Sequence, residues 1–159
     1  MALARYDSLM TGTERLDLLA RGENPKLLLR MKSGFAVIGD TQFLQGYCLL
    51  LAYPEVGQLN DLYGAARDQF LRDMAVLGDA VKAATGAERM NYSIYGNLDP
   101  FLHAHVWPRY AWEDPSLHTL PPFNYPAGIR EDFANLFDMG KHGGLMKKIR
   151  EELERRVAG

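Results

Sequence analysis

"GNLDPFLHAHVWPRY", residues 96–110, places two of the chain's four histidines one residue apart between apolar neighbours. In a β-strand, side chains alternate between faces with about 3.3 Å of rise per residue, and the stretch sorts into two rows. Phe101, His103, His105 and Trp107 share one face, while Leu102, Ala104, Val106 and Pro108 share the other. The apolar row of Leu102, Ala104 and Val106 is the one expected under a helix. The histidines then look outward from the sheet, towards a ligand or solvent, about 6 to 7 Å apart at the backbone. That spacing suits two imidazoles converging on one tetrahedral group.

The flanks set this strand in an α+β frame. Upstream, "KLLLRMKS", "GFAVIGD" and "GYCLLLAYP" are short apolar runs separated by Gly, Asp and Gln, and they read as successive strands of an antiparallel meander. From Asn60 the period changes: Leu62, Ala66, Phe70, Met74, Leu77 and Val81 recur every three or four residues, with Arg67, Asp68, Arg72, Asp73 and Lys82 elsewhere around the axis. This predicts one long amphipathic helix, ended near Gly86. "RMNYSIYGN" returns to strand character before the turn Gly96–Pro100. Before the first strand, Thr13 is the expected cap of a helix over "ERLDLLARG", which Gly22 and Pro25 stop. Residues 111–128 hold four prolines and read as an ordered irregular segment, followed by helices over "REDFANLFD" and "GLMKKIREELERRV". The expected fold is an antiparallel sheet of about five strands with one long helix packed across it, plus C-terminal helices.

At 159 residues the chain reads as one domain, long enough to bury roughly two thirds of its unfolded surface. A net charge of −2 argues against a general grip on a nucleic acid polymer, though a local positive pocket for a small anion remains open. The single cysteine, Cys48, excludes an intramolecular disulfide and reads as a buried structural thiol. The N-terminal stretch lacks an apolar core of signal length, and no segment approaches the roughly 20 apolar residues that span a bilayer. The expectation is a cytoplasmic protein with no membrane partner.

Three chemistries suit a histidine pair. Metal binding uses imidazole, but zinc takes three or four protein ligands, and no second His/Cys/Asp cluster stands at ligand spacing. General acid–base work fits a group that titrates near neutrality. Nucleophilic attack on phosphorus gives a phospho- or nucleotidyl-histidine, provided a second donor stabilises the phosphoryl oxygens. Two half-exposed histidines without chemistry are the bland alternative. His118, in the Pro-rich segment, and His142, in "GKHGG", read as exposed loop residues; "GKHGG" lacks the spacing of a P-loop. Arg109 could reach a phosphate through its fork or sit in a rim salt bridge. Trp107 and Phe43 could sandwich a base or pack the core. Trp112, Phe123 and Tyr125 read as the anchor of the irregular segment, part of it able to cover a pocket.

With these flanks, "FLHAHVWPR" resembles the signature of the histidine triad (HIT) superfamily of nucleotide hydrolases and transferases, H-φ-H-φ-H-φ-φ with φ apolar, often followed by Pro-Arg. "FAVIGDTQFLQGYCLLLAYPEVGQLNDL" is similar to the family's paired strands with the helix that follows, and "YGNLDP" to a Gly-Asn turn in part of it. The likeness covers about residues 20–112, leaving 113–159 as an irregular segment and helices within the same domain. It implies that His103 is the covalent nucleophile on the α-phosphorus and that His105 contacts the phosphate and the scissile region. It implies further that Asp40 holds ribose hydroxyls and that Asn97 lies near the nucleophile. Phe101 departs from the pattern, standing where the first histidine helps orient the nucleophile. His105, where transferase branches carry glutamine, favours hydrolysis. The implied function is hydrolysis of a dinucleoside polyphosphate, a nucleoside phosphoramidate or a related adenylylated molecule. No cofactor is implied beyond a magnesium ion carried by the substrate, and the implied assembly is a homodimer. The competing class is a nucleotide-binding or regulatory protein with little catalysis.

Overall fold

Helix α1, Gly12–Ala20, begins where Thr11 and Glu14 close a reciprocal capping box: the Thr11 hydroxyl accepts from the Glu14 N–H, and the Glu14 carboxylate accepts from the Thr11 N–H. The cap is therefore Thr11 and not Thr13, whose hydroxyl instead donates to Glu55 at 2.9 Å. The computed structural model describes residues 10–159. The reading of the first nine residues as carrying no signal sequence lies outside the described residues.

Five strands follow: β1 (Leu27–Met31), β2 (Gly34–Ile38), β3 (Cys48–Ala52), β4 (Arg89–Ile94) and β5 (His103–Arg109). They form one antiparallel sheet in the order β1-β2-β3-β5-β4. The first three strands make the expected meander. The chain then leaves through the long helix α2, Gly64–Thr85, and returns at the sheet edge as β4. The turn after β4 brings β5 back into the open place beside β3, so the histidine strand is central, paired on both sides. Gly86 stops α2 in the left-handed conformation, φ 70°, which a residue without a β-carbon adopts at no steric cost.

The alternating rows on β5 are as the sequence predicts. Leu102, Ala104 and Val106 join Ala36, Ile38, Cys48 and Leu50 in a core under Phe70, Leu77 and Val81 of α2. Asp73, expected on the polar side of α2, is buried: its carboxylate accepts from the Ser33 N–H and hydroxyl and from the Gln69 amide, tying the β1–β2 turn to the helix. Cys48 is buried as expected, and burial pushes its thiol pKa far up.

The C-terminal third differs from its sequence reading. Residues 130–138 do not form an α-helix; a four-residue helix, α3 (Ala127–Arg130), and a single 3-10 turn at Phe133–Asn135 take their place. The backbone there is committed elsewhere, with Gln42 N–H donating to the Asn135 carbonyl and Phe137 N–H to the Asp40 carbonyl. The last helix, α4 (Met139–Ala158), starts five residues earlier than expected because the Asp138 side chain caps it, accepting from the Lys141 N–H. His142 is consequently not an exposed loop residue. It is buried in the first turn of α4, where its Nδ1 accepts from the Asp138 N–H at 2.9 Å. Met146, Ile149 and Leu153 bury α4 against the α2 side of the sheet. Among the described residues no helix is long and apolar enough to cross a membrane.

Candidate active site

The sheet face that carries the histidines is covered at both ends and open between. At one end Leu16 and Leu19 of α1 pack on Phe35, Val37, Leu51 and Phe101. At the other, Phe43, Tyr47, Trp107 and Tyr125 form an aromatic cluster. His103 and His105 lie at the junction, each only 8% exposed, more enclosed than a solvent-facing row. Their rings stand edge to face with centroids 5.0 Å apart. Between the two covers lies a cleft of about 210 Å³, whose walls include Arg15, Asp40, Tyr47, Phe101 and both histidines.

His103 has a defined tautomer. Its Nδ1 is 2.8 Å from the Phe101 carbonyl oxygen, which can only accept, so Nδ1 carries a hydrogen and the neutral ring has its lone pair at Nε2. The His103 ring is therefore oriented by the backbone of residue 101, not by that residue's side chain. The Phe101 ring instead packs in the α1 cluster and against the His103 ring, 4.7 Å between centroids. Gly12 permits this closeness, since a β-carbon there would stand 2.5 Å from the Phe101 ring. Replacing Phe101 by Leu is expected to cost about 1–1.5 kcal/mol of stability and to leave the His103 bond intact. Denaturant unfolding, with the ring-nitrogen NMR signals of His103, checks both.

His105 differs. Its Nδ1 is 2.6 Å from the Tyr47 hydroxyl, and its ring faces Phe123 edge-on at 4.9 Å. Burial, and secondarily the neighbouring His103, bring its pKa down to about 3. Above that pH the imidazole is neutral, with one N–H and one lone pair.

Asp40 closes the far side of the cleft. Burial raises its carboxyl pKa, but Lys26 at 2.7 Å and Arg15 at 3.2 Å outweigh that and leave it below the usual value. The loop that carries Asp40 and Tyr47 is pinned by buried Gln42, whose amide donates to the Gly39 and Tyr47 carbonyls and whose oxygen accepts from the Gly46 N–H. The structure thus brings His103, His105 and Asp40 to one cleft. Asn97 is exposed in the turn before β5 and is not among the cleft's walls.

Arg109, weighed as a phosphate ligand or a rim salt bridge, is neither. It is buried, and its guanidinium binds Glu113, Asn91 and the carbonyls of His118 and Leu120. Glu113 also accepts from the Tyr110 N–H and the Tyr125 hydroxyl. This node holds residues 113–125 over the sheet and sets Phe123 against His105 and Trp107. Trp107 stacks on Tyr47 at 3.5 Å and is buried, so it packs the core. Trp112 stands apart from Phe123 and Tyr125, exposed and stacked on Tyr110. His118 lies 3.5 Å from Glu88 at the surface.

Sequence reasoning passed over Tyr47, Arg15 and Lys26. A signal for Tyr47 was present: it continues the two-residue period of Leu49 and Leu51, which pair with His105 and His103 across β3 and β5. Arg15 and Lys26 carried none, because they reach Asp40 from α1 and from the start of β1. Among the described residues no group of three or more His, Cys, Asp or Glu side chains could hold a metal ion.

No protein-family model matches the sequence, and no curated protein matches it. Solved structures do match in three dimensions. A histidine triad protein from Sinorhizobium meliloti is 18% identical, with 91% of this chain and 98% of that one covered at a TM-score of 0.69. A hypothetical histidine triad nucleotide-binding protein from Sulfolobus tokodaii is 14% identical, over 88% of this chain and 91% of that one, TM-score 0.66. A zinc-bound histidine triad family protein from Mycobacterium smegmatis is 17% identical, over 86% and 92%, TM-score 0.56. These likenesses show the fold.

Proposed function

We infer that this chain, built on the fold of the histidine triad proteins, is a nucleotide hydrolase acting through a covalent nucleotidyl-histidine. The observation that carries the reading is the His103 tautomer: a carbonyl holds Nδ1–H, so that in the neutral ring the nucleophilic lone pair is the one at Nε2. The cleft around it contains a neutral second imidazole and a carboxylate flanked by two cations.

In this mechanism His103 Nε2 attacks the α-phosphorus of a dinucleoside polyphosphate, a nucleoside phosphoramidate or a related adenylylated molecule. The N–P bond forms as the bond to the leaving group breaks, and the leaving group takes up a proton. The ring then carries a positive charge, which the Phe101 carbonyl stabilises through Nδ1–H. Water next attacks phosphorus, the N–P bond breaks, and the nucleoside monophosphate departs with His103 neutral again. His105 contacts the phosphoryl oxygens and Asp40 accepts from ribose hydroxyls. Asn97 approaches the site only as part of the exposed turn. No step requires a metal, and a magnesium ion would arrive with the substrate. The likeness to histidine triad proteins, one of them described as nucleotide-binding, supports the substrate class.

The test is incubation with a panel of adenosine polyphosphates and phosphoramidates, following AMP release beside equilibrium binding. Turnover supports the hydrolase. Binding without turnover favours the regulatory alternative, to which Phe101 in place of the first histidine lends weight. Asp40→Ala is expected to raise KM for a ribonucleotide substrate about tenfold, the effect of losing a hydrogen bond to a charged group, and to leave a 2′,3′-dideoxy analogue unaffected. The ratio of the two KM values checks it, because a general structural defect would move both. A homodimer belongs to the same reading: among the described residues β4 pairs on one side only, with β5, which leaves its other edge for a second copy. Sedimentation reads the assembly.

A further inference from the structure

The two histidines differ in what holds their Nδ1 atoms. His103 meets a carbonyl oxygen, an obligate acceptor; His105 meets a phenol, which can donate or accept. The direction of the Tyr47–His105 bond therefore decides which nitrogen of His105 bears the hydrogen. Tyr47 is buried, and its hydroxyl is 2.6 Å from His105 Nδ1. Among the described residues no second acceptor lies within reach of that hydroxyl. Were His105 to donate from Nδ1, the phenol proton would be left buried without a partner, at the cost of an unmade hydrogen bond. Burial also raises the Tyr47 pKa well above its ordinary value, so the phenol keeps its proton.

We propose that Tyr47 is a positioning residue that donates to His105 Nδ1 and so fixes His105 as the Nε2–H tautomer. The pair is then complementary: His103 offers a lone pair at Nε2 and His105 offers an N–H at Nε2. On the hydrolase reading, on which the catalytic part of this inference rests, His105 donates to a phosphoryl oxygen while His103 attacks phosphorus. The donor does not have to titrate, because His105 is neutral across the working pH range. Stacking of Tyr47 on Trp107 and the Gln42 bonds around the loop hold the phenol in line.

The test is long-range ¹H–¹⁵N NMR of the ¹⁵N-histidine-labelled protein near neutral pH, which distinguishes protonated from unprotonated ring nitrogens. The expected result is Nδ1 bare and Nε2 protonated at His105, and the reverse at His103. Tyr47→Phe keeps the ring and its stacking on Trp107, so the fold is retained. In that variant the His105 signals shift towards a mixture of tautomers. Its kcat falls by about one to two orders of magnitude, while KM changes little. A protonated Nδ1 at His105 in the parent protein overturns the proposal, and so does an unchanged tautomer in Y47F. The expected tautomers in a parent protein that turns over no nucleotide would instead overturn the hydrolase reading and leave the role of Tyr47 standing.

Discussion

His103→Ala is expected to lower nucleotide release by about three orders of magnitude or more, since no other group in the cleft can take over as nucleophile. His105 is the nearest candidate, but its Nδ1 is engaged by Tyr47 and its low pKa reflects a poorly basic ring. The stability cost should be small beside the kinetic one. The variant loses the packing of the His103 ring on Phe101 and His105, and it leaves the Phe101 carbonyl without its partner, which alone costs about 1–3 kcal/mol. Initial rates on a turned-over substrate, together with a denaturant melt, separate the two effects. A rate reduced only in proportion to the unfolded fraction would count against His103 as nucleophile.

Arg109→Met should be the most destabilising single change among the site's supports. The parent pair is buried on both sides, and the substitution leaves Glu113 as an uncompensated buried charge, at a cost of about 3–5 kcal/mol. It also releases the carbonyls of His118 and Leu120, so the segment that carries Phe123 loosens. The pH dependence carries a distinctive sign. In the parent, burial raises the Glu113 pKa, but Arg109, Tyr125 and the Tyr110 N–H together bring it below the usual value. A depressed folded pKa contributes stability that is present above the unfolded pKa and is lost as pH falls through the folded one. In the variant burial dominates and the folded pKa rises, so protonation relieves the penalty. The gap in unfolding free energy should therefore be widest near neutrality and narrow as pH falls towards about 4. Urea unfolding of both proteins at pH 4 and pH 7 measures it, with limited proteolysis of residues 113–125 as a local readout.

How much of this was legible in the sequence follows from how locally each feature is encoded. The β5 rows and the α2 stripe are written in periodicity, and the structure keeps both: Leu102, Ala104 and Val106 face Phe70, Leu77 and Val81. His103 and His105 could be placed on one face for the same reason. The orientation of His103 could not, because it depends on a backbone carbonyl and not on any side chain. Arg109 was open between phosphate and salt bridge because its partners, Glu113 and the carbonyls of His118 and Leu120, lie in a segment with no period. The reading of 130–138 as a helix failed where long-range backbone bonds to residues 40–42 outweigh local propensity. The start of α4 was hidden by Gly140, Gly143 and Gly144, poor helix formers that a capping Asp138 and the packing of His142 and Met146 carry into the helix.

The account stands on a covalent bond between His103 and phosphorus. The most direct measurement is quenching of the protein in alkaline denaturant within its first turnovers on an adenylylated substrate, followed by intact-mass and peptide mass spectrometry at neutral to alkaline pH, where phosphoramidates survive. The predicted result is one added adenylyl group per chain, mapped to residues 101–109 at His103 and absent in His103→Ala. Turnover with no adduct at any quench time, together with inversion of configuration at phosphorus, would mean direct attack by water and would contradict the account.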